Sequence, residues 1–91
     1  MVIDRKLYIE KLRNELLKKL RSNKEYVEKI EKIVKEAIDK LGYEEARKTF
    51  EGALLINEEF GGPITEWVNF KLSLEVLEKM RAEKEKLERV S

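Results

Sequence analysis

Apolar residues recur at helical intervals through nearly the whole chain. Ile9, Leu12, Leu16 and Leu20 fall three or four positions apart on one face, with Lys11, Asn14, Lys18 and Arg21 on the other, which predicts a helix over residues 4–21. Val27, Ile30, Val34, Ala37 and Leu41 keep the same spacing, widened by Tyr26, Ile33 and Ile38, and predict a second helix over 23–41. Its outer face sets Glu25, Glu28, Glu31 and Glu36 each four residues before a lysine, the favourable orientation for weak i,i+4 pairs. Tyr43, Ala46, Phe50, Ala53, Leu54 and Phe60 mark a third helix over 43–60, and a fourth, longer one runs over 63–89.

The punctuation between these segments is sparse and consistent. Ser22 with Glu25 three residues on reads as a capping box opening the second helix. Gly42 reads as a stop after that helix, and Gly61-Gly62-Pro63 separates the last two, with proline suited to a first helical turn and Gly62 to the cap before it. Connections this short predict antiparallel neighbours. The expected fold class is therefore all-α, a single-domain four-helix up-down bundle with a long last helix.

The last helix carries more apolar surface than one bundle stripe requires. At about 100° per residue, Trp67, Phe70, Leu74 and Leu77 gather around one direction. Val68, Leu72, Val76, Met80, Leu87 and Val90 gather nearly opposite, and in the third helix Leu55 points away from the Phe50 stripe. Large exposed apolar patches usually mark interfaces, and two-fold pairing is the commonest way to cover one. Val68, Leu72, Val76, Met80, Leu87 and Leu55 are thus the expected interface of a self-associating chain, a homodimer, or of a chain that binds another protein. Asn57, inside the third helix's apolar arc, is expected to bond a backbone group of a neighbouring turn or to set the register of pairing.

Composition narrows the chemistry. The chain's 91 residues include no Cys and no His, which excludes disulfides, thiolate or imidazole metal sites and histidine-based acid–base catalysis. The serines have no activating base, and the adjacent acids Glu44-Glu45 and Glu58-Glu59 diverge on their helix, so the expectation is a non-enzyme with no cofactor and no metal. Arg13 and Arg47 flank apolar stripes and have the chemistry of anion clamps, although arginines so placed commonly snorkel to water. The apolar runs are too short to span a membrane, and residues 1–5 do not resemble a signal peptide, so a cytoplasmic location is expected. Charged residues make up 43% of the chain with a net charge of +1, a Lys/Glu bias shared by proteins of hyperthermophiles and by designed helical proteins.

The charge is unevenly distributed. Residues 1–24 carry a net +5, residues 25–60 a net −4, and residues 61–91 balance, which suits oppositely charged neighbours within one bundle or between chains. Lys11, Lys18, Arg21 and Lys24 form a basic face that supports an alternative function, an accessory protein for nucleic acid. The near-neutral total charge and the acidic second and third helices weigh against it.

Overall fold

The computed structural model describes residues 4–90, and these form four α-helices: α1 (Arg5–Arg21), α2 (Lys24–Leu41), α3 (Tyr43–Phe60) and α4 (Ile64–Val90). Each boundary has a local cause. Asp4 caps α1, its carboxylate accepting from the Lys6 N–H at 3.0 Å. Asn23, not Ser22, caps α2: its extended backbone lets the side-chain carbonyl accept from the Tyr26 N–H at 3.2 Å. Ser22 closes α1 instead, and its hydroxyl turns back to donate to the Lys18 carbonyl, so the expected Ser22–Glu25 box does not form.

Gly42 serves two helices at once. At φ +83° its N–H closes α2 on the Ile38 carbonyl, while its own carbonyl accepts from Ala46 N–H in the first turn of α3. A side chain is disfavoured at that angle, so glycine is what makes a one-residue junction possible. At the far end of α3, Gly61 adopts the left-handed conformation and the Gly62 N–H bonds the Asn57 carbonyl at 2.9 Å. The Pro63 carbonyl starts α4 by accepting from Trp67 N–H, and it also accepts from the side-chain amide of buried Asn57 at 3.1 Å. Asn57 therefore ties the α3–α4 turn, the first of its two expected roles. A Cβ on Gly62 would lie 2.5 Å from the Asn57 amide nitrogen, which explains the second glycine.

α4 is the centre of the molecule. It packs against α1, α2 and α3, whereas among the described residues α1 and α3 do not pack on one another. Cross-helix contacts give the directions. The Arg13 guanidinium lies over the Trp67 ring, and eight residues further along both helices Arg21 grips Glu75, so α1 and α4 run the same way. α3 runs opposite to α4: Glu44 meets Arg81 at one end and Glu58 meets Trp67 at the other. Strict up-down alternation, which would make α1 and α4 antiparallel, does not describe this arrangement. The physical reason is the breadth of α4's apolar surface, which is covered by surrounding helices and not by a four-cornered ring.

That covering also corrects the expected interface. Val68, Leu72 and Val76 are 0%, 2% and 9% exposed within the single chain, and Trp67 and Leu77 on the opposite side are buried as well. Both directions of α4 are enclosed by its own chain, leaving no open stripe on its central turns. Met80 is half-buried, Leu87 is exposed, and the side chain of Val90 lies outside the described residues. The rest of the core comes from Leu17, Ile30, Val34, Ala46, Phe50 and Leu54. No helix among the described residues is long and apolar enough to cross a membrane.

Ion pairs tie the elements together at the surface. Arg21 bonds both carboxylate oxygens of Glu75 at 2.9 Å, and this partner raises the arginine's pKa. Arg47 bonds Glu44 and Glu51, with Arg81 also approaching Glu44 at 3.6 Å. The hydrogen bond from Arg47, and then its charge, hold the Glu44 carboxyl below the usual carboxylate range.

Two outcomes follow from this packing. Leu72→Ala should lower unfolding stability by about 2–5 kcal/mol, while Leu87→Ala, at a site 73% exposed, should change it by less than about 0.5 kcal/mol, as read by chemical denaturation. Glu44 has a lower pKa folded than unfolded, so its contribution is present above the ordinary carboxylate pKa and is lost as pH falls through the folded value. The melting-temperature gap between the native chain and Glu44→Gln should therefore close on acidification from neutral pH, and a gap that persists in acid would contradict the pairing.

Candidate functional site

Because α1 and α3 flank α4 without meeting, a groove of about 1110 Å3 opens between them. Trp67, in the first turns of α4, forms its floor. Lys6, Ile9, Glu10, Arg13 and Asn14 supply the α1 wall, and Leu55, Glu58 and Glu59 the α3 wall.

Trp67 couples the two walls. Its ring lies 5.4 Å from the Arg13 guanidinium carbon, a cation–π approach, and its indole N–H donates to Glu58 at 2.9 Å. The ring is thereby buried although neither wall closes over it. The Arg13 Nε is buried and finds no acceptor, and among the described residues no carboxylate pairs with this guanidinium. Arg13 thus turns inward onto an aromatic face, while Arg47, the other arginine singled out by the sequence, is consumed by Glu44 and Glu51.

The register of α1 on α4 explains why this end of the molecule stays apolar at its surface. Carried back from the Arg13–Trp67 and Arg21–Glu75 contacts, it sets Arg5–Ile9 level with residues 59–63, before α4 begins. The first turns of α1 therefore have no central helix beneath them. Leu7, Tyr8 and Ile9 remain exposed there, and on α3 Leu55, Ile56 and Phe60 are exposed at the same end. The sequence pattern assigned Ile9 to the core stripe of α1. In the fold that stripe is centred on Leu17, with Leu16 and Leu20 half-buried beside it.

The predicted site residues are thus dispersed. Leu55 lines the α1–α3 groove; Met80 and Leu87 line a second, shallower groove of about 670 Å3, facing Ile38 and Tyr43; Val68, Leu72 and Val76 belong to the core. Of the basic face, Lys11 and Lys18 are exposed on α1, Arg21 is held by Glu75, and Lys24 begins α2. Sequence reading missed Ile9, Arg13 and Trp67 as one constellation. The three consecutive apolar residues Leu7-Tyr8-Ile9, which no single helical face can bury, were the available signal.

No protein-family pattern matches the chain, and no curated protein or solved structure is significantly similar to it.

If Arg13 shields the floor of the groove, Arg13→Ala should increase collisional quenching of Trp67 emission by acrylamide and destabilise the fold by roughly 0.5–1 kcal/mol. Unchanged quenching would show that the ring is covered by something else.

Proposed function

We propose that the chain is a cytoplasmic, non-catalytic protein–protein interaction or assembly module, acting as a homodimer or with another protein through the groove between α1 and α3. The observation that carries the reading is the contrast between the two apolar sites. The broad surface of α4 is satisfied internally, while Ile9 and Leu55 stay exposed on either side of an aromatic floor. Scattered exposed leucines are ordinary on small proteins, but exposed apolar side chains on both walls of one concavity are what a partner's side chains cover. Trp and Arg at the centre of such a patch are the residue types that most often dominate binding energy.

The alternative, nucleic-acid binding through α1, keeps the support of Lys11 and Lys18, which are exposed. It loses Arg21 to an intramolecular pair with Glu75. The near-neutral total charge and the acidic second and third helices weigh against phosphate binding, so the interaction reading is preferred.

The test uses the native chain and an Ile9→Asp/Leu55→Asp variant, both immobilised and exposed to host extract and to the soluble native chain. Both substitutions fall on exposed positions, so circular dichroism should show unchanged helicity. Whatever the native chain retains, itself included, should be lost from the variant. Retention of nothing, or of the same proteins by both forms, would refute the assignment.

A further inference from the structure

We infer that the occupant of the α1–α3 groove is a second copy of the chain, related by a two-fold axis that lays α1 of each copy along α3 of the other. This rests on the interaction reading above and adds the partner and its orientation.

The basis is opposite charge on the two walls. The α1 wall comes from a segment rich in base, where Arg5, Lys6, Lys11 and Arg13 outnumber Asp4 and Glu10. The α3 wall comes from a segment with no base at all: residues 49–70 contain Glu51, Glu58, Glu59 and Glu66 and neither Lys nor Arg. Inside one chain these groups do not meet across the groove. Glu51 is taken by Arg47 of its own helix and Glu58 by the Trp67 indole, and among the described residues no ion pair bridges α1 and α3.

A face with a basic wall beside an acidic one is complementary to itself after a half-turn, because rotation places each wall opposite its counterpart. A different protein would have to match both signs and the apolar strip between them. A second copy matches all three at once. In that pairing the α1 wall of one copy, with Lys6 and Arg13, faces the α3 wall of the other, with Glu58 and Glu59.

The test exchanges charges. Lys6 and Glu59 are exposed and unpaired among the described residues, so Lys6→Glu and Glu59→Lys should leave the fold intact. Each change occurs twice in a two-fold dimer and sets like charges against each other. By sedimentation equilibrium the native chain should be dimeric and each variant should dimerise at least about tenfold more weakly. An equimolar mixture of the two variants should recover a heterodimer of near-native affinity, since each then supplies the charge the other lacks. Simple misfolding cannot produce that recovery. A native chain that is monomeric at millimolar concentration would overturn the inference, as would a dimer indifferent to both substitutions. If that monomer still holds another protein that Ile9→Asp/Leu55→Asp releases, the second copy is wrong and the interaction reading stands.

Discussion

The structure depends on one constraint: α4 is apolar on opposed sides, and both sides must leave water. Each fully buried Val or Leu contributes roughly 1.5–3 kcal/mol, and Val68, Leu72, Val76 and Leu77 are all sheltered within the chain. A helix covered on only one side would forfeit about half of that. The solution is to surround α4 with the other three helices, so it becomes the shared core and not one corner of a ring.

Surrounding one helix with three leaves gaps where the outer helices fail to meet. Between α1 and α3 the gap is wide enough that α4's Trp67 forms a floor. Tryptophan suits that position because its ring can lie under the Arg13 guanidinium while its N–H reaches Glu58, satisfying an apolar body and a polar edge at once. The same geometry carries the first turns of α1 beyond the start of α4, so Leu7, Tyr8 and Ile9 stay exposed. The uncovered surface is therefore a consequence of how the core was completed.

The helices were legible from the chain because their ends have local chemical causes. Gly42 and Gly61-Gly62-Pro63 stand where the backbone needs positive φ or a missing N–H, and Ile30, Val34, Phe50 and Leu54 follow the helical period into the core. The cap of α2 was misplaced by one residue, from Asn23 to Ser22, since either side chain can accept the bond and only the backbone angle decides. Val68, Leu72 and Val76 were expected at a surface for a different reason. Periodicity shows how many directions of a helix are apolar, but it does not count the neighbours available to cover them. Val68, Leu72 and Val76 looked surplus because each helix was allotted one stripe. The exposure of Ile9 depends on the register of α1 against α4, a tertiary quantity set by contacts such as Arg21–Glu75 that link positions 54 residues apart.

Thiol labelling tests the central claim most directly, because the chain has no native cysteine and each introduced one reports alone. Leu72→Cys and Leu55→Cys would be labelled across a dilution series. The account predicts that the thiol at position 72 stays protected at every concentration. The thiol at position 55 should be shielded when the chain is concentrated and reactive when it is dilute. If dilution exposed position 72, the cover of α4 would come from a second molecule and not from its own three helices, contradicting the account at its base.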